Sequence, residues 1–157
     1  MSLIRQILED RVLVLDGAMG TQIHAAELDL ERDYLGLENC SEIVNVTRPD
    51  VIQAIHGRYF AAGCDAVETN TFGGSIQTLA EFGLEDRCFE INKKAAEVAR
   101  AAADEYTTEE QPRFVFGSMG PGTKLATLGQ ASYAELKAGY LEQARGLAAG
   151  GVDAFLV

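Results

Sequence analysis

Four short apolar runs punctuate the chain: Val12–Leu15, Ala66–Thr69, Phe114–Gly117 and Val152–Val157. The first, third and fourth are nearly continuous in hydrophobicity rather than alternating, the pattern of strands covered on both faces of a parallel sheet. Between the runs, apolar positions recur at helical spacing. Thr47-Arg48-Pro49-Asp50 predicts a helix capped by Thr47 with proline in its first turn, carrying Val51, Ile52, Ile55, Tyr59 and Phe60 and stopping at Gly63. Ile91, Ala95, Val98 and Ala102 form one stripe within the helix-rich stretch 85–105. Ser132-Tyr133-Ala134-Glu135 fits a capping box, opening a helix through Leu136, Tyr140 and Leu147 to Gly150.

One segment is echoed. Residues 61–67, AAGCDAV, match residues 149–155, AGGVDAF, and both read as helix end, glycine stop, aspartate, buried strand. Strands alternating with helices imply crossovers and a parallel α/β sheet. The last run has the character of a central strand, and a bare parallel edge invites aggregation. Four βα steps are half of an eightfold barrel. The expected fold is therefore α/β: residues 1–157 as the N-terminal half, about four βα units, of a (β/α)8 TIM-type barrel, with no second domain. Such a half should pair with the remaining half of the barrel or with a second copy.

Charge narrows the partners. The 157 residues carry 13 Lys+Arg against 24 Asp+Glu, a net −11, which excludes the basic face that nucleic acid or an anionic membrane requires. No apolar run approaches the roughly 18 residues of a membrane span. The opening MSLIRQILEDRV reads as a charged amphipathic segment, not a signal peptide. Cys40, Cys64 and Cys88 are odd in number and widely spaced, which indicates neither a disulfide framework nor a local metal knuckle. A reduced, cytoplasmic protein acting on a small molecule is expected.

In parallel α/β folds, functional groups collect just past the carboxyl ends of the strands. Three Gly-rich polar tips fall there: Asp16-Gly17-Ala18-Met19-Gly20-Thr21, Glu68-Thr69-Asn70-Thr71-Phe72-Gly73-Gly74 and Gly117-Ser118-Met119-Gly120-Pro121-Gly122-Thr123-Lys124. A carboxylate (Asp16) beside the amides of Gly17, Ala18 and Met19 suits an amino acid, the acid facing its ammonium and the amides its carboxylate. The same residues also suit a plain turn with an Asx bond. The third tip imitates a phosphate loop, but its order is Gly122-Thr123-Lys124 and no helix starts at once, so nucleotide binding is rejected. Glu68 could serve as acid, base or ammonium partner, or pair with a Lys or Arg inside the barrel. His24 reads as a ligand or base, or as a solvated loop histidine; His56 reads as structural, and Cys64 as a small buried hydrophobe.

Taken together, DGAMGTQI, NVTRPDVIQAIH, AGCDAVETNTFGG, LAEFGLEDRCFEINKKAAEVAR and GSMGPGTKLATLG resemble the homocysteine S-methyltransferase family, in order and over nearly the whole chain. Within it, the similarity is closest to the N-terminal homocysteine-binding module of the cobalamin-dependent methionine synthases. The resemblance implies a (β/α)8 barrel in which zinc ionises the homocysteine thiol and the thiolate takes a methyl group, giving methionine. The implied donor is methylcobalamin, recharged from methyltetrahydrofolate on other modules. By the same resemblance Asp16 holds the substrate amino group and Gly17, Ala18 and Met19 meet its carboxylate. Glu68, Asn70 and Thr71, with Ser118 and Gly120, line the pocket.

The family's zinc ligands are cysteines on later strands, including an adjacent Cys-Cys pair that this sequence lacks, and a family glutamate would come just after Val157. The zinc ligands are thus expected beyond residue 157, and the isolated chain is expected to neither bind zinc tightly nor transfer methyl groups. Two alternatives stand beside this reading: a betaine- or S-methylmethionine-dependent homocysteine methyltransferase, and a non-catalytic half-barrel that binds a partner or a small amino acid.

Overall fold

The computed structural model describes residues 3–157. Strands β1 (Ala66–Glu68), β2 (Phe114–Ser118) and β3 (Ala154–Leu156) form a parallel sheet in the order β1-β2-β3. The register sets Ala66 beside Phe114, Glu68 beside Phe116, and Ser118 beside Leu156. Helices α1 (Leu3–Asp10), α2 (Met19–His24), α3 (Val44–Thr47) and α4 (Pro49–Ala61) precede β1. Helices α5 (Ile76–Leu79) and α6 (Cys88–Tyr106) cross from β1 to β2, and α7 (Tyr133–Ala149) crosses from β2 to β3. Parallel neighbours need such crossovers, and the helical periodicity of the sequence supplies them.

Local chemistry accounts for most boundaries. Ser132 and Glu135 form a reciprocal capping box at the start of α7, with Ser132 N–H donating to Glu135 at 2.7 Å and Glu135 N–H to Ser132 Oγ at 3.2 Å. Pro49 opens α4 where its missing N–H costs nothing. Thr47, however, does not cap α4: its hydroxyl donates to the carbonyls of Asp33 (2.5 Å) and Ile43 (3.2 Å). Between α2 and α3 the chain winds around the buried Asp33, whose carboxylate meets Arg32 at 2.9 Å and Arg48 at 3.5 Å.

The echoed segments adopt the same arrangement. Gly63 (φ 108°) and Gly151 (φ 92°) take the left-handed turn after α4 and α7. Two residues later, Asp65 and Asp153 each clip the start of the preceding run. Asp65 N–H donates to Val14 O (2.7 Å) while its carboxylate accepts from Val14 N–H (2.8 Å). Asp153 repeats this on Val115, at 2.8 Å both ways. Each aspartate also holds an arginine, Arg11 for Asp65 and Arg100 for Asp153.

The core lies between sheet and helices. Val67 and Val115 pack with Phe60, Cys64, Ala99, Ala102 and Ala103, and a second cluster joins Ile23, Ile43, Ile52, Ile55, Leu79 and Ile91. The predicted stripe of α6 (Ile91, Ala95, Val98, Ala102) is buried throughout. One expectation about the strands is corrected. Val12–Leu15 is not a full strand but a single parallel bridge, Leu15 to Ala66, with Val12 79% and Val14 57% exposed. The last run forms β3 as read from the sequence, paired with β2 along one edge, and Phe155, Leu156 and Val157 are exposed. A continuous apolar run reports the capacity to be buried, not the presence of the element that buries it. Among the described residues no helix is long and apolar enough to cross a membrane.

Candidate functional site

Asp16 stands one residue past the Leu15 bridge. Its N–H donates to Ala66 O at 3.0 Å and its Oδ1 accepts the backbone N–H of Glu68 at 3.0 Å, which fixes it beside the end of β1. The exposed Gly17-Ala18 step follows, and α2 starts at Met19 with no side chain capping it. Tyr59 of α4 steadies this turn by donating its hydroxyl to Ala18 O at 3.1 Å. A Cβ on Gly17 would lie 3.3 Å from that hydroxyl, so the small residue permits the close approach.

The second and third tips are tied together. Ser118 N–H donates to Thr69 Oγ1 (3.0 Å), and Thr71 Oγ1 donates to Ser118 O (2.7 Å). Ser118 Oγ in turn donates to Glu68 Oε2 at 3.1 Å, so the recorded partner of Glu68 is a hydroxyl and not a Lys or Arg. From the other side, Asn45 donates to Asn70 O and Asn70 to Ser41 O, both at 2.8 Å. The buried Glu42 accepts Gly73 N–H at 2.8 Å.

These contacts leave a cleft of about 180 Å³ at the carboxyl ends of the strands, lined by Asp16, Gly17, Met19, Glu68, Asn70 and Ser118, with Thr69 and Phe72. Of the nine residues singled out from the sequence, six thus share one cleft. Gly120 lines an adjoining, more apolar cavity of about 440 Å³ that shares Glu68, Phe72 and Ser118 and reaches Tyr140. Thr71 is fully buried behind the wall, its hydroxyl engaged by Thr69 and Ser118, and Ala18 contributes its carbonyl to Tyr59. Burial pushes the Asp16 carboxyl up to about 7; the Glu68 N–H bond opposes that rise and the nearby Glu68 charge adds to it. An acid poised near neutrality turns fully to carboxylate when a cation arrives, which suits an ammonium group.

Other candidates lie elsewhere. His24 ends α2, exposed, and lines a separate groove with Glu27, Tyr34 and Glu38. His56 is fully buried within α4, and burial pushes it down to about 4. Thr123 and Lys124 of the phosphate-loop imitation both engage Glu81, at 2.6 and 3.0 Å. Among the described residues no group of three or more His, Cys, Asp or Glu is placed to hold a metal ion. Cys40, Cys64 and Cys88 are free and buried, and burial pushes their thiols up to about 11, 11 and 12. Zinc needs the opposite, a thiolate, so these residues do not fit the metal site implied by the resemblance.

A sequence model of the homocysteine S-methyltransferase family matches residues 13–157. The chain is 52% identical over 151 residues to a methionine synthase of Mycobacterium tuberculosis, covering 96% of this chain and 13% of that protein. It is 51% identical over 152 residues to a methionine synthase of Mycobacterium leprae, covering 97% and 12%. The chain therefore spans about an eighth of the length of these relatives. Among solved structures, the metallated form of the homocysteine methyltransferase MmuM from Escherichia coli superposes with a TM-score of 0.77 at 25% identity, over 97% of this chain and 55% of that one. Its apo form gives 0.72.

Proposed function

The chain belongs to the homocysteine S-methyltransferase family, and we propose that its strand-tip cleft holds the amino-acid end of homocysteine while the complete protein converts it to methionine. One observation carries this reading: Asp16, Gly17 and Met19 after the Leu15 bridge meet Glu68 and Asn70 from the tip of β1 and Ser118 from the tip of β2 at one small cleft. In it the Asp16 carboxylate faces the substrate ammonium, and the open backbone at Gly17, Ala18 and Met19 meets the substrate carboxylate. Glu68, Asn70 and Ser118 form the wall, Thr71 holds Ser118 from behind, and Gly120 opens the adjoining cavity toward which the side chain points.

The same reading makes residues 3–157 the first half of a (β/α)8 barrel. The sequential parallel order of β1, β2 and β3 supports it, as does a match that takes in 97% of this chain but 55% of MmuM. Identity to methionine synthases supports methionine formation as the reaction. The zinc, cobalamin and methyltetrahydrofolate implied by the resemblance are assigned to other parts of the polypeptide, and nothing in the role proposed for these residues runs through them.

Calorimetric titration of the complete protein with L-homocysteine tests the reading. Asp16→Asn, which removes the charge that pairs with the ammonium, should weaken binding by about 30-fold, the equivalent of about 2 kcal/mol for a charged hydrogen bond. Unchanged affinity in that variant overturns the assignment.

A further inference from the structure

We propose that Gln143, on α7, is a positioning residue of the cleft: its side-chain amide sets the spacing of the second and third strand tips and, through Ser118, the place of Glu68. The inference rests on the homocysteine reading above. Gln143 is fully buried, and its Nε2 donates to the carbonyls of Thr71 (2.8 Å) and Ser118 (3.4 Å). Those carbonyls lie past the end of β1 and at the end of β2, where ladder partners run out. Ser118 is the joint of the cleft, since its carbonyl also accepts from Thr71 Oγ1, its N–H reaches Thr69 and its hydroxyl reaches Glu68.

A buried amide between a helix and a sheet is costly unless it is hydrogen-bonded, and an apolar side chain of that size would fill the space without the penalty. Here the Oε1 atom has no partner among the described residues, so packing alone does not explain the amide. What it supplies is a donor to two tips at once.

The approach of α7 makes that reach possible. Gly139, Gly146 and Gly150 are buried on the same helical face as Gln143, at i−4, i+3 and i+7. A Cβ on Gly146 would stand 2.7 Å from Phe89 O, and one on Gly150 would run into Lys93 O. The backbone of α7 therefore lies against α6 without intervening side chains, and Gln143 arrives beneath the tips. Gly74 completes the fit, for a Cβ there would lie 3.0 Å from both Gln143 Nε2 and Thr71 O.

Steady-state kinetics on the complete protein tests the inference. Gln143→Met keeps the volume and removes both donors. It should raise the KM for homocysteine about tenfold while leaving kcat and the KM for the methyl donor within about twofold. A purely structural residue would instead lower the active fraction, reducing kcat with the homocysteine KM unchanged, and that result overturns the proposal. Thr71→Val removes the hydroxyl that bonds both Thr69 and the same Ser118 carbonyl, and serves if the first variant does not fold. A raised homocysteine KM supports the proposal, and an unchanged one overturns it. Wild-type protein that binds no homocysteine overturns the substrate reading and this inference together, whereas normal wild-type binding with unmoved variants overturns the positioning role alone.

Discussion

Asp16 Oδ1 accepts the backbone N–H of Glu68 at 3.0 Å, so an acid that follows the first apolar run is held against the end of β1, 52 residues later in the chain. The bond stabilises the carboxylate, but burial and the Glu68 charge outweigh it and push the acid up to about 7.

Homocysteine affinity should therefore depend on pH below neutrality. The ammonium pairs with the ionised form of Asp16, and protonating that group removes the attraction. Below about pH 7 the association constant should fall about tenfold per unit, with a proton released on binding at pH 6. Calorimetry in buffers of different ionisation enthalpy measures both, and a flat profile from pH 8 to 5.5 would contradict the assignment.

His56 sets a second pH dependence, on stability. Its folded value of about 4 lies below the ordinary 6.5, so the unfolded chain takes up the proton first as pH falls. Stability is lost between about pH 6.5 and 4, by about 3 kcal/mol at the lower end. Asp16, raised in the folded state, acts oppositely over an overlapping range. The check is thus the difference between wild type and His56→Leu in chemical denaturation at pH 7 and 4.5. The variant should lose less stability on acidification.

Asp65→Ala should cost about 2 kcal/mol, because it removes the partner of both Val14 N–H and Arg11. Arg11 holds the Asp65 carboxyl below the usual range, and that contribution persists above the ordinary carboxylate pKa and disappears as pH falls through the lowered one. Amide exchange should then accelerate at Val14 before it does in β2. Equal protection in the variant would show that the clip is idle.

Gly146→Ala should destabilise by about 1–3 kcal/mol despite the better helix propensity of alanine. The added methyl would meet the backbone oxygen of Phe89 at 2.7 Å, and backbone cannot rotate away. Thermal melting of the variant against wild type reads this directly, and a raised melting temperature would mean that α7 and α6 can separate freely.

Features carried by neighbouring residues were legible in the chain. Ser132 and Glu135 are three positions apart and form the capping box seen. The two Gly-x-Asp steps recur, and Gly63-Asp65 and Gly151-Asp153 make the same turn and clip. Thr47 shows where local reading fails: its hydroxyl had a cap position available but found carbonyl partners at Asp33 and Ile43 instead. Tyr59 and Gln143 carried no local signal, since an aromatic and an amide at helical spacing look like ordinary helix residues until their distant partners are known.

The order of residues thus determined the three long helices α4, α6 and α7, the strand candidates, the glycine turns and the three polar tips, because each depends on backbone preferences within a few positions. Folding in three dimensions decided that Asp16, Glu68 and Ser118 share a cleft and that Val12–Leu15 makes one bridge. Burial, neighbouring charge and hydrogen-bond partners come from segments tens of residues away, so the near-neutral acid of Asp16 and the donor role of Gln143 exist only once those segments meet.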